Sequence, residues 1–211
     1  MTVSTERLPQ FIEAAAAVMR DHAEEVAALD QAIGDGDHVA NLQRGLNALC
    51  PLAPTLVGLD WASALQKIGM SVMSTVGGAS GSLYGTLFLA MAKVLKDRSV
   101  DGVAFAEAFA AGVDAMRQRG KAELGEKTML DVLIPVARTL VDGVAQGKPV
   151  PDLQSEVVAV AESGCESTRD LLATKGRASF LGERARGYLD PGARSAQLMI
   201  SAIVGVLTEP V

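Results

Sequence analysis

The chain has 211 residues, 49% of them hydrophobic and 21% charged, which supplies a substantial core and excludes a disordered polymer. Its net charge of −6 excludes a non-specific nucleic-acid binder, which needs a basic footprint, yet allows a phosphorylated ligand held through a metal ion. Cys50 and Cys165, the only cysteines, have no zinc-like spacing and read as small buried hydrophobes.

In chain order, Leu8, Phe11, Ile12, Ala15, Val18 and Met19 fall on one helical stripe. This predicts a first helix capped by Thr5 and running to about Leu29. The charged and proline-containing start (Glu6, Arg7, Pro9, Glu13) lacks the apolar centre of a signal peptide. A second helix is expected from His38 to just before Pro51. A third starts at Asp60, an N-cap candidate, with Trp61, Leu65, Ile68, Val72 and Met73 on one face.

The segment Val76 to Gly85 interrupts the periodicity with glycines and reads as a loop, after which a fourth helix runs to about Lys96. Asp101 opens a fifth, with Phe105, Phe109 and Met116, ending near Gly120. A sixth spans Thr128 or Met129 to Gln146, and a seventh Leu153 to about Leu172. Following a loop over 175–190, Pro191 begins an eighth that continues to Leu207. The apolar stretch Leu198 to Leu207 is roughly half of what spans a bilayer, so no membrane segment and a cytoplasmic location are expected. Eight helices, no strand and short loops predict an all-α, single-domain antiparallel bundle or barrel over residues 1–211. The chemistry is then expected in its loops.

The densest of these is Asp30-x3-Gly34-Asp35-Gly36-Asp37-His38. Three carboxylates so close repel one another unless a cation intervenes, and the glycines let the chain aim them at one point. Oxygen ligands suit Mg²⁺, which completes its octahedron with water and phosphate oxygens. An EF-hand register fails, because it places Val39 or Ala32 at a ligand position, and zinc calls for more His or Cys than His38. By spacing alone, a solvated acidic turn capping the next helix is the competing reading. His38 and Asn41, on the first turn of that helix, could face an anion or simply cap.

Gly77-Gly78-Ala79-Ser80-Gly81 could gather backbone N–H groups around a phosphate, or serve only as a tight interhelical turn. Gly120 to Thr128 superficially follows a P-loop but has an extra residue and no preceding strand, so Lys121 and Lys127 read as solvated. The stretch Gly176 to Gly192 concentrates arginines, glycines and Asp190-Pro191-Gly192 at a helix start, which suits a phosphate or purine ligand as well as a network of surface ion pairs.

Together and in this order, these four segments resemble the nucleotide-binding (L) subunit of dihydroxyacetone kinases, of the type that depends on the phosphotransferase system. The matching positions are Leu29 to His38, Gly77 to Gly85, Arg119 to Met129, and Lys175 to Arg184 with Asp190 to Ala193. The resemblance implies a barrel of eight antiparallel helices with the nucleotide at one end. Asp30, Asp35 and Asp37 would hold two Mg²⁺ ions on the phosphates of ADP or ATP. His38, Val39, Ala40, Asn41, Gly78, Ala79, Ser80, Gly120, Met129, Arg177, Asp190, Pro191 and Gly192 would line the nucleotide site. A separate subunit would hold dihydroxyacetone, and a phosphocarrier driven by phosphoenolpyruvate would recharge ADP in place. A homodimer is a further expectation. Another small ketose such as a tetrulose, or a non-catalytic nucleotide-sensing partner of a regulator, are the rival readings. Two departures stand out: Val39 where the family usually has glycine, expected to add a side chain beside the phosphates, and Ser82 where proline is common, expected to loosen the following helix.

Overall fold

A computed structural model describes residues 4–208, in which every regular element is helical. The helices are α1 (Leu8–Asp21), α2 (Ala23–Ile33), α3 (His38–Leu52), α4 (Trp61–Thr75), α5 (Gly78–Leu95), α6 (Gly102–Gly120), α7 (Leu130–Ala145), α8 (Val150–Ser167) and α9 (Pro191–Thr208). No helix among the described residues is long and apolar enough to cross a membrane.

Eight of these form a closed ring. Proceeding round it, α1 packs on α3, each of α3 to α8 on the next, α8 on α9, and α9 on α1. The N-termini of α3, α5, α7 and α9 share one end with the C-termini of α4, α6 and α8, so ring neighbours alternate in direction. At the opposite end the Arg7 guanidinium donates to the Val206 carbonyl, which ties the start of α1 to the end of α9. The ring interior is apolar, with Leu56, Ala64, Leu95, Met116, Leu130, Val132 and Ala161 almost wholly excluded from solvent. Trp61 and Phe105 meet edge-on within it, ring centroids 5.6 Å apart.

The all-helical, single-domain expectation holds, with local corrections. The predicted first helix breaks at His22 into α1 and α2, and α2 lies outside the ring against α3, α9 and the turn Arg177–Ala185. Thr5 is not a helix cap: it is buried in a 3₁₀ turn, and its hydroxyl donates to Leu59 O at 2.9 Å. Asp60 and Asp101 do cap α4 and α6, each accepting a backbone N–H at 2.8 Å. Met73 leaves the buried stripe of α4 and is 45% exposed, and α3 carries Pro51 within its last turn.

The glycine segment 76–85 is mostly helix, not loop. Here α5 begins at Gly78, because its glycines serve packing: a Cβ on Gly85 would sit 3.1 Å from Gly69 O of α4. Ser82 lies inside this continuous helix and does not loosen it. Of the two cysteines, Cys165 is buried and Cys50 half-buried.

Candidate nucleotide and metal site

One end of the ring opens into a cavity of about 380 Å³, a size suited to a small-molecule ligand. The first turns of α3, α5, α7 and α9 all reach it, through His38, Ala79, Leu130 and Pro191. The leading N–H groups of a helix lack intrahelical partners and carry partial positive charge. Four such ends around one space favour a polyanion.

The carboxylates gather at one edge of this space. Asp30, Asp35 and Asp37 each offer an oxygen within 4.8 Å of the others, Asp30 buried and its two companions exposed. Asp30 reaches inward from the last turn of α2, and its Oδ2 accepts the His38 backbone N–H at 2.9 Å. Gly34 makes room for it: an added Cβ there would lie 1.8 Å from Asp30 Oδ1. From the neighbouring Arg177–Ala185 turn the Arg177 Nε donates to Asp35 Oδ2 at 2.8 Å. Three carboxylates facing one point, two of them open to solvent, fit a hard divalent cation that also takes outside oxygens. The single arginine balances only part of their charge.

The His38 ring stands between this cluster and α9. Its Nε2 and Ser195 Oγ are 3.0 Å apart, and Ser195 Oγ donates to Gly192 O at 3.0 Å. Burial holds the imidazole below its ordinary pKa, against the opposing pull of Asp30 and Asp37. The neutral ring therefore serves as a fixed hydrogen-bonding group rather than a counter-charge.

The floor is Asp190-Pro191-Gly192, held by its own caps. Asp190 Oδ2 accepts the Ala193 N–H at 2.8 Å, and the Asp190 N–H donates to Thr168 Oγ1 at 2.9 Å. Asp190 is only partly buried as a residue, but its carboxyl is enclosed, and burial pushes it up to about 7 against the Ala193 N–H and the Lys127 ammonium. Folding thus retains a proton that the unfolded carboxyl loses near 3.8. The native state binds more protons between 3.8 and about 7, so this group's contribution to stability falls as pH rises through that window and levels above it. The melting temperature of the native protein, measured relative to Asp190→Asn without nucleotide, should therefore decline from pH 4.5 to pH 7.5. A pH-independent difference would contradict it.

Of the residues expected at the site, His38, Ala79, Ser80, Gly120, Met129, Arg177, Asp190, Pro191 and Gly192 line the cavity, as does Asp30. Asn41 is buried below the glycine segment, where a Cβ on Gly77 would meet its Oδ1 at 2.3 Å and one on Gly78 its Nδ2 at 3.5 Å. Ala40 is exposed and away from the lining. The Val39 side chain does not reach the cavity either. It packs with Ala15, Met19, Leu42 and Leu198, so the extra side chain is absorbed by the core and leaves the cavity unobstructed.

The cavity also takes in residues that the sequence reading named without assigning them to the site: Ser82, Arg119, Lys127, Thr128 and Lys175. Arg119 donates to Ser82 Oγ at 3.0 Å on the rim. Lys127, expected in solvent, is 1% exposed. Its surroundings come from α8 and the segment before α9, which local spacing cannot reveal.

The DAK2 domain family profile matches residues 32–205. The chain belongs to the DAK2 domain family. It is 44% identical, over 83% of both chains, to the ADP-binding subunit of PEP-dependent dihydroxyacetone kinase 1 from Listeria innocua. It is 36% identical to the ADP-binding subunit of PEP-dependent dihydroxyacetone kinase from Escherichia coli, over 96% of this chain and 97% of that one. These relatives bear out the resemblance read from the four segments. In fold, it superposes on the dihydroxyacetone kinase from C. freundii in complex with AMP-PNP and Mg²⁺ with a TM-score of 0.76 and 24% identity. That match covers 98% of this DAK2 chain but 35% of the larger kinase.

Proposed function

We propose that this chain is the nucleotide-holding, phosphoryl-transferring subunit of a dihydroxyacetone kinase, working with Mg²⁺ and ADP or ATP. The observation that carries the reading is the cluster of Asp30, Asp35 and Asp37 at the edge of a cavity that four helix N-termini reach, with Asp30 in its lining. Phosphoryl transfer needs positioning and charge neutralisation more than a covalent protein group. Relatives whose names specify an ADP-binding subunit support the choice of nucleotide.

In this reading Asp30, Asp35 and Asp37 hold two Mg²⁺ ions, which neutralise the developing charge on the phosphates. The amides at Gly78, Ala79 and Ser80 and the Arg177 guanidinium hold the phosphate oxygens. His38, Gly120, Met129 and Asp190 to Gly192 surround the rest of the nucleotide, while Asn41 supports the glycine segment from beneath and Val39 and Ala40 stand off the cavity. No general base is required of this chain, since the acceptor hydroxyl arrives on a separate subunit that holds the ketose. A phosphocarrier recharges ADP without its release.

The test combines two measurements. Protein purified without added nucleotide should carry ADP detectable by mass spectrometry, and it should phosphorylate dihydroxyacetone only with the ketose-holding subunit and a phosphoenolpyruvate-driven phosphocarrier. Turnover on free ATP with no phosphocarrier would replace the recharging scheme by nucleotide exchange. Failure to bind ADP or ATP in the presence of Mg²⁺ would sink the reading altogether.

A further inference from the structure

Lys127 is the most completely buried charged side chain among the described residues, at 1% exposure, and it lies in the cavity lining. Its backbone sits at φ 60°, a left-handed conformation that a non-glycine residue keeps only where its surroundings hold it. The ammonium donates to two main-chain carbonyls, that of Thr168 at the C-terminal end of α8 and that of Tyr188 at 2.6 Å. Thr168 in turn receives the Asp190 N–H on its hydroxyl, and Tyr188 stands two residues before Asp190. One lysine thus grips both segments that lead into the Asp190-Pro191-Gly192 floor.

Its own loop forms the facing wall. Asp131, 2% exposed, accepts the Gly125 N–H at 2.5 Å and the Thr128 N–H at 2.8 Å, which folds residues 125–129 onto the start of α7. Thr128 and Met129, immediately after Lys127, line the cavity, with Met129 beside Gly192. A Cβ on Gly192 would lie 3.6 Å from Met129 Cε, so the wall and floor are already in near contact.

We infer that Lys127 is a positioning residue for the nucleotide: a buried cation whose bonds to the Thr168 and Tyr188 carbonyls lock the Thr128-Met129 wall to the Asp190-Gly192 floor. The ammonium satisfies two main-chain carbonyls that an apolar side chain would leave unpaired, and it reaches them from a loop that itself lines the ligand space. The charge is spent where two ligand-lining segments must keep a fixed separation, and small displacements there are costly to binding. This assignment rests on the nucleotide reading given above.

Calorimetric titration of Mg·ADP into the full-length chain, freed of nucleotide, tests it alongside melting temperature and amide hydrogen exchange. Lys127→Met should weaken Mg·ADP binding by about tenfold or more. Faster exchange should appear at residues 187–193, while the loop from Asp30 to His38 exchanges as in the native protein. If the methionine variant does not fold, Lys127→Gln, which keeps a donor for the carbonyls without the charge, should show the same loss. Native-like affinity in whichever variant folds, with only a lower melting temperature, makes Lys127 a structural prop and overturns the assignment. Failure of both variants to fold does so too. Absence of Mg·ADP binding by the native protein would instead overturn the nucleotide reading, and the role of Lys127 with it.

Discussion

Replacing Asp35 with alanine should lower phosphoryl transfer by about a thousandfold or more, because on the proposed function it removes a ligand for the ion that would neutralise the transferring group. The same change should leave the fold intact. Asp35 is exposed, and it pairs with Arg177, whose side chain is 69% exposed, so the ion pair contributes little to stability. Taking one carboxylate out of a cluster whose oxygens lie within 4.8 Å also relieves repulsion in the metal-free protein. Unchanged or slightly raised melting temperature, native circular dichroism and lost transfer are the expected combination. Asp35 is a cleaner probe than Asp30, which is buried and accepts the His38 N–H. Transfer that survives Asp35→Ala, assayed with the ketose-holding subunit present, would remove the aspartates from the reaction.

Gly34→Ala should damage the same site without touching a ligand. The new methyl group would occupy a point 1.8 Å from Asp30 Oδ1 and 2.9 Å from the Asp30 carbonyl oxygen. Backbone oxygen cannot give way cheaply, so the carboxylate swings out and its hydrogen bond from His38 is lost. Mg²⁺-dependent binding of ADP should weaken about tenfold to a hundredfold, the range seen when a metal ligand is misoriented. Gly205→Ala is the control. Nothing lies within 4 Å of a Cβ at that position of α9, so it should bind as the native protein does and gain roughly 0.5–1 kcal/mol of stability from helix propensity. Equal binding by the Gly34 and Gly205 variants would show that Asp30 need not stay where it is.

Much of this architecture was legible in the sequence. The apolar periodicities of α4 and α6, the span of α7 and the caps Asp60 and Asp101 need only local information, and they are close to where the pattern places them. The aspartate loop was legible for the same reason, since its three carboxylates are close in sequence as well as in space. What pattern reading missed depends on remote partners. The break at His22 has neither glycine nor proline at the joint, and α2 turns away because it packs on the Arg177–Ala185 turn. The glycines of α5 read as a breaker because intrinsic propensity disfavours them in a helix, yet contact between the α4 and α5 backbones requires them. Lys127 read as a surface lysine because Thr168, Tyr188 and Asp190 lie more than forty residues away.

The closure of the helical ring has a consequence for how the protein is made. Its first and last helices are joined by a contact spanning 199 residues, from Arg7 to Val206. During synthesis the other helices can pair with their predecessors as they emerge, but α1 must wait for α9 with its flank uncovered. The first turn of α9 is also the floor of the cavity. The ring and its binding end are therefore completed in one late step. On the proposed function, a nucleotide seated on that floor would act as a latch, favouring the closed ring over any form with α9 undocked.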